Sequence, residues 1–147
     1  MKKTGFLLAL IISLISFYSC SSGSPESTAI ESIQYMIDGK YEKLVDNLFI
    51  PESYKNDEIR LKKFKEDKVN LFKELREDKS FFAEISENGG LKKLITTKNS
   101  DGETVVYNDE KTKASVWVSV VCKNGDTISM GRTPMSIQDG KWKLDID

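Results

Sequence analysis

The chain contains no histidine and only two cysteines, Cys20 and Cys122. Zinc and copper sites are built mainly from imidazole and thiolate ligands, so the usual site for either metal cannot be assembled from these side chains. A serine or cysteine nucleophile usually passes its proton to a histidine, and that base is missing as well. We therefore expect no catalytic residue, no metal site and no cofactor, and we expect Cys122 to be a buried small hydrophobic residue.

An excess of positive charge is also lacking, because 22 basic and 23 acidic side chains leave a net charge of −1. General nucleic-acid binders normally carry a basic excess that neutralises phosphates. The basic residues between positions 60 and 79 are interleaved with acids at spacings of three and four, which is typical of an exposed helix. The sequence therefore predicts no nucleic-acid partner.

The first nineteen residues have the pattern of an export signal. Lys2 and Lys3 precede an uncharged run from Gly5 to Ser19, most of which is aliphatic. A basic start, about ten apolar residues and a small-residue exit are typical of a secretory signal peptide. A membrane-spanning helix needs about twenty apolar residues, and serines interrupt this run. We expect residues 1–19 to be a signal peptide that is removed.

The exit of this segment, Ser16-Phe17-Tyr18-Ser19-Cys20, resembles the lipobox of bacterial lipoproteins, with Phe17 where leucine is usual. The resemblance implies that Cys20 is lipidated and that the membrane is a partner, and residues 20–25 then form a flexible polar tether. In some lineages, an acidic run directly after the lipidated cysteine resembles a signal for display on the cell surface. No such run follows Cys20. We therefore expect a lipid anchor in the outer membrane of a Gram-negative bacterium, with the domain facing the periplasm.

Residues 26–147 are expected to form a single domain. Cleavage before Cys20 leaves 128 residues, enough for one core, and the loss of two lysines changes the net charge to −3. Apolar residues in the first half recur at helical spacing, and glycines follow where helices should end. The predicted helices run from Pro25 to Asp38, from Tyr41 to Phe49 and from about Asn56 to Ile85.

The second half of the chain predicts antiparallel strands. Apolar residues alternate with others from Ala114 to Cys122, and Asn124-Gly125 is the strongest hairpin signal, of type I′. A phase change between Gly131 and Pro134 indicates a bulge or a bend. Helices followed by antiparallel strands predict an α+β fold with helices on one face of a sheet. Further strand signals occur at Leu91 to Thr97, at Trp142 to Ile146 and, as an edge strand or an ordered loop, at Val105 to Tyr107.

The order of these motifs resembles the nuclear-transport-factor-2-like, or cystatin-like, superfamily. The resemblance rests on Ser24-Pro25-Glu26-Ser27 before an apolar helix, on residues 38–44, on residues 114–126 and on residues 139–144. Within that superfamily the chain is similar to a lumazine-binding-like domain of unknown function found on bacterial lipoproteins. The resemblance implies a curled antiparallel sheet with the N-terminal helices packed in its concave face, forming a cone with a cavity. It implies no particular activity, because one fold hosts many functions.

Aromatic residues are the remaining functional candidates. Large aromatic surfaces suit ligand pockets, so Tyr35, Phe64, Phe72 and Trp117 are possible binding residues, although they could equally fill the cone. Trp117 lies in the opposite phase to the apolar stripe of its strand. If it points away from the helices, it marks a partner surface on the outer face of the sheet. We expect a non-catalytic domain that binds an unknown small molecule or protein.

Two alternatives remain open from the residues. One is a small-molecule isomerase or dehydratase that uses the cone, since isomerases of the superfamily employ an aspartate base and a tyrosine donor. The other is an immunity-like protein that blocks a toxin. Paired polar groups in a deep cone would favour the enzyme, and an exposed apolar patch around Trp117 would favour protein binding. Candidates for the acid–base pair are Asp38, Asp46, Tyr35 and Tyr41.

One short motif concerns modification. Asp126-Thr127-Ile128 resembles an acceptor triplet for O-glycosylation in some Gram-negative lineages. Its position beside a predicted hairpin would leave Thr127 accessible, and the sequence leaves open whether it is modified.

Overall fold

The computed structural model describes residues 23–77 and 80–146, so the predicted signal peptide and Cys20 lie outside the described residues. Five helices precede five strands within these ranges, as expected for an α+β fold. The helices are α1 (Pro25–Asp38), α2 (Tyr41–Asp46), α3 (Glu52–Lys55), α4 (Glu58–Glu77) and α5 (Ser80–Glu87). The strands are β1 (Leu91–Thr96), β2 (Val105–Tyr107), β3 (Lys113–Cys122), β4 (Thr127–Gln138) and β5 (Lys141–Leu144).

Local sequence signals set the ends of the first helix. The Ser24 side chain accepts a hydrogen bond from the backbone N–H of Ser27 at 3.2 Å, and Pro25 occupies the first turn, where no N–H is needed. Gly39 ends the helix with φ of +71°, a left-handed conformation that glycine adopts without steric cost. The predicted helix is therefore confirmed at both ends.

The long helix expected from about Asn56 to Ile85 is helical in its described parts, α4 and α5, which lie on either side of residues 78–79, outside the described ranges. The short helix α3 precedes them after Pro51. Asp57 begins α4, because its carboxylate accepts a hydrogen bond from the backbone N–H of Arg60 at 3.0 Å. Apolar periodicity runs through both helices, as the pattern predicts.

The strands form one antiparallel sheet in the order β1-β3-β4-β5, and β2 pairs with β3 beyond the end of β1. Its strong curl produces a half-barrel, with the helices N-terminal to it. A bulge is present in β4, one residue before the stretch from Gly131 to Pro134 where it was expected. Val118 pairs with Gly131 and Ser119 pairs with Ser129, which leaves Met130 as the extra residue in β4.

The inside of the cone is filled by side chains of the protein. Alternate residues of β3 from Ala114 to Cys122 are buried and face the helices, as the alternation predicts. Leu48 is 0 % exposed, and its backbone bridges to Leu144 in β5. The interior is therefore a packed core. Its least exposed large side chains are Leu44, Val45, Leu48, Val116, Val118, Val120 and Met135.

The two hairpins differ in turn type, and the type I′ prediction for Asn124-Gly125 is wrong. Only Gly125 has a positive φ there, +100°, and its N–H donates to the carbonyl of Cys122 at 3.1 Å. This pattern is a type I turn followed by a glycine bulge, in a three-residue loop. The type I′ turn occurs instead at Asp139 and Gly140, where φ is +52° and +74°. The exposed Thr127 begins the strand after the first hairpin.

Cys122 is expected to be inert in the native protein. Its side chain is 0 % exposed and packs with Ile85, Val120 and Ile128. In a Cys20→Ser variant, a thiol reagent should label Cys122 about 10³-fold or more slowly than in the unfolded chain, because access requires opening of the core. Absorbance of the released thiolate would follow the reaction. Rapid labelling without denaturant would contradict this burial.

Candidate functional site

Two of the four aromatic candidates lie in the core. Phe64 and Phe72 are 8 % and 5 % exposed, and both belong to the main cluster under the sheet. The ring of Phe64 lies 5.0 Å from the ring of Tyr54, between centroids, and the exposed edge of Phe64 contributes to a shallow surface pocket. These positions give both phenylalanines a packing role in the core, where α4 lies against α2 and α3.

Tyr35 lies on α1, half-buried and packed against the main core cluster. Its hydroxyl donates to the carboxylate of Glu31 at 2.7 Å, and this hydrogen bond raises the pKa of Tyr35 above its ordinary value. The ammonium group of Lys43 lies 5.8 Å from the centre of its ring. Tyr35 is therefore held among charged surface residues. The four aromatic candidates do not meet in one pocket.

Trp117 lies on the outer face of the sheet, as its phase in β3 predicts. It is half-buried and belongs to neither hydrophobic cluster under the sheet. Its direct cross-strand partner is Arg132 in β4, so the indole and the guanidinium share the outer face. Its indole is therefore partly accessible, on the face of the sheet that the helices leave uncovered.

The acid–base candidates are dispersed. Asp38 is exposed at the end of α1, where hydrogen bonds from Lys40 and Gln34 hold the pKa of its carboxyl below the usual value. Asp46 is exposed at the end of α2, with its carboxylate 2.9 Å from the ammonium group of Lys65. Tyr41 is buried in the core. The arrangement lacks the shared pocket that a base and a donor need.

An open groove of about 810 Å³ lies at the end of the sheet where β2, β3 and β4 meet. Ser115, Pro134 and Ser136 contribute to it from the outer face, and Phe49 forms a wall. Tyr107 and Ile137 line the same cavity from the inner face. The hydroxyl of Ser136 donates to the Asp145 carboxylate at 2.5 Å, so that carboxylate is already hydrogen-bonded within the protein. We give the name outer groove to the surface formed by Phe49, Lys113, Ser115, Arg132, Pro134 and Ser136.

Positive charge and apolar surface are combined in the outer groove. Lys113 and Arg132 are both exposed, and neither forms a salt bridge within residues 23–77 and 80–146. Trp117 adjoins the groove, because Arg132 is its cross-strand partner and Ser115 is the next residue on its face. Such a surface suits a partner that carries a carboxylate or another anion next to an apolar group.

Sequence analysis identified Trp117 and not the outer groove. Alternation places Ser115 on the same face as Trp117, but Arg132 and Pro134 join them only through the register between β3 and β4. That register depends on the bulge at Met130, which sequence pattern located only to within a few residues. Phe49 reaches the groove because the segment after α2 runs beside β5.

Two general features of the described part of the chain bear on function. Within residues 23–77 and 80–146, no group of three or more acidic or cysteine side chains is arranged to hold a metal ion. Among the same residues, the helices are too short or too polar to cross a bilayer.

Comparison with known proteins identifies the fold. The structure is similar to the crystal structure of a candidate NTF2-like transpeptidase from Campylobacter jejuni, with a TM-score of 0.58 and 17% sequence identity. The match covers 85% of this chain and 100% of the other. No protein-family profile and no curated protein matches the chain. The chain therefore has an NTF2-like cone fold, which confirms the fold class expected from the order of its motifs.

Proposed function

We propose that the protein is a lipid-anchored binding domain that captures a partner on the outer face of its sheet and does not turn it over. One observation carries the proposal. The cone interior, where NTF2-like folds hold small molecules, is filled by Leu44, Leu48 and Met135, each about 1 % exposed or less. The outer groove, by contrast, is open and carries two exposed cations beside apolar walls.

The anchor is supported by sequence. The lipobox-like junction before Cys20 is followed by only a few polar residues, and the folded domain begins at Pro25. A domain on so short a connection remains at the membrane surface, where a partner is encountered at high effective concentration. We place it on the periplasmic side of the outer membrane, because no acidic run follows Cys20. The lumazine-binding-like lipoprotein domains are the group that this combination resembles.

A non-catalytic role fits the positions of the acid–base candidates. Asp38 and Asp46 are exposed on different helices, Tyr35 is half-buried with its hydroxyl bonded to Glu31, and Tyr41 is in the core. The description of the Campylobacter jejuni protein as a transpeptidase applies to that protein, and 17% identity carries over the fold alone. Binding needs only the anion-attracting and apolar groups that the outer groove brings together.

Photo-cross-linking tests the surface. A photoreactive phenylalanine analogue at Ser115, in the outer groove, should give a discrete cross-linked product in the periplasm of the native host. The same analogue at Ile59, which is 83 % exposed on α4, should not. Replacing Trp117 with alanine should reduce the product at least several-fold, because an aromatic anchor contributes about 2 kcal/mol or more at an interface.

Three results would contradict the proposal. Equal products from Ser115 and Ile59 would mean that capture is not specific to the groove. Unfolding of Trp117→Ala, seen as lost cooperative melting, would make Trp117 a structural residue. Turnover of a small molecule that Asp46→Asn abolishes would establish catalysis.

A small-molecule partner would be detected by native mass spectrometry, as a bound mass that Arg132→Ala removes.

A further inference from the structure

Three residues on the inner face of the sheet lie beyond the packed core. Tyr107 pairs with Ala114, and Ile137 pairs with Trp142, so all three side chains share the face of the core residues Met135 and Leu144. Tyr107 and Ile137 are nevertheless 44 % and 38 % exposed. We call Tyr107, Ile137 and Trp142 the mouth cluster.

The mouth cluster is a continuous aromatic and apolar surface. The rings of Tyr107 and Trp142 are 5.9 Å apart between centroids, and Ile137 is the direct cross-strand partner of Trp142. Trp142 is half-buried against the core, which holds the indole in place. Tyrosine and tryptophan combine an apolar ring with a polar tip, the combination that is enriched where protein meets a membrane surface.

The chain leaves the folded domain beside this cluster. Gly23, the first described residue, lines a pocket of about 460 Å³ together with Ser27, Lys141 and Trp142. Glu26, in the first turn of α1, lies near enough to Tyr107 for its charge to add to the effect of burial in raising the pKa of the phenol. The N-terminus of α1 and the mouth cluster therefore occupy the same end of the cone.

The distance to the anchor is short. Gly23 is three residues after Cys20, and three residues span at most about 11 Å even when fully extended. If Cys20 carries the acyl chains, the surface around Gly23 must remain within about this distance of the lipid headgroups. At such a distance, even a weak affinity of Trp142 and Tyr107 for the interface is sufficient to orient the domain.

We propose that the mouth cluster contacts the headgroup region of the bilayer that holds the Cys20 anchor, and that this contact orients the domain on the membrane. The inference rests on the lipid anchor of the proposed function. The exposed ammonium group of Lys141, next to Trp142, is placed to contact lipid phosphates. The acyl anchor holds the protein on the membrane, and the cluster determines which side faces it.

The two tryptophans of the chain make a direct test possible. Trp117→Phe leaves Trp142 as the only indole, and Trp142→Phe leaves Trp117 on the opposite face of the sheet. Each acylated protein would be reconstituted in vesicles of phosphatidylethanolamine and phosphatidylglycerol with bromine on the acyl chains near the headgroups. We expect Trp142 fluorescence to be quenched several-fold more strongly than Trp117 fluorescence, since bromine quenches only at short range.

A charge substitution provides a second measurement on the folded protein. In the Trp117→Phe background, Ile137→Glu should weaken the quenching of Trp142, because a carboxylate in the cluster opposes contact with an anionic surface. Ile59→Glu, a matched change on α4 at a site that is 83 % exposed, should leave it unchanged. Circular dichroism would verify that both variants are folded.

The possible outcomes distinguish a failure of the proposed orientation from a failure of the lipid anchor. Proteins that float with the vesicles but show equal quenching of Trp142 and Trp117 would overturn the orientation and leave the anchor intact. Failure to float would contradict the anchor and, with it, this inference. A change in Trp142 emission that depends on protein concentration and not on brominated lipid would assign the cluster to self-association and would also overturn the inference.

Discussion

Replacing Phe72 with alanine is expected to lower the free energy of unfolding by about 3–5 kcal/mol, the range for removing a buried phenylalanine from a packed core. Phe72 is 5 % exposed and packs in the main cluster between α4 and the rest of the core. Removing its ring leaves a cavity that neighbouring side chains can fill only in part. Urea denaturation followed by circular dichroism would measure the change.

The matched control is the preceding residue. Leu71 is 40 % exposed on the same helix, so Leu71→Ala should change the free energy of unfolding by only about 0.5 kcal/mol. Both variants introduce alanine into the same helix, and the side chains that they remove differ in burial. If Phe72→Ala were as stable as Leu71→Ala and lost binding of a small molecule, Phe72 would line a ligand site and the filled interior would be wrong.

Replacing Cys20 with alanine is expected to release the protein from the membrane fraction almost completely. Acylation of that cysteine would supply several chains, and each buried methylene contributes about 0.8 kcal/mol, so the anchor is far stronger than any contact of the folded surface. Fractionation with immunodetection would measure the distribution. Mass spectrometry of the unmodified sequence should find an acylated N-terminal Cys20.

Cys122→Ser is the control for this experiment. Cys122 is the free cysteine of the described residues and is buried, so its loss should leave anchorage unchanged. A mature protein that begins at Ser21 or later, without a lipid, would contradict lipidation. Retention of Cys20→Ala with its signal peptide uncleaved would show that the N-terminal apolar run itself can hold the protein on a membrane.

Predictions from local pattern were accurate where a local cause operates. The cap at Ser24, the stop at Gly39 and the alternation of β3 each depend on residues that are adjacent in sequence, and each is present in the structure. The type I′ assignment at Gly125 failed because the loop there has three residues. A three-residue loop can form a type I turn followed by one residue with a positive φ, and Gly125 is that residue here.

The aromatic candidates show where local pattern becomes insufficient. Apolar periodicity marks Phe64 and Phe72 as facing the inside of the fold, and a ring that lines a cavity has the same periodicity as a ring that fills it. The difference depends on how closely α2 and α4 pack under the sheet. In this protein Leu48 and Met135 occupy the remaining space.

By itself, the sequence determined the fold class, the order of helices and strands, and the phase that places Trp117 outside and Cys122 inside. These properties follow from the helical and strand periods and from capping and turn residues, all of which act over a few positions. Only the tertiary structure decided that the cone is filled and that Ser115, Arg132 and Phe49 form one groove. It alone also placed Tyr107 and Trp142 beside the start of α1. The physical reason is that register, sheet curl and packing join residues far apart in the chain, and contacts of that range have no local signature.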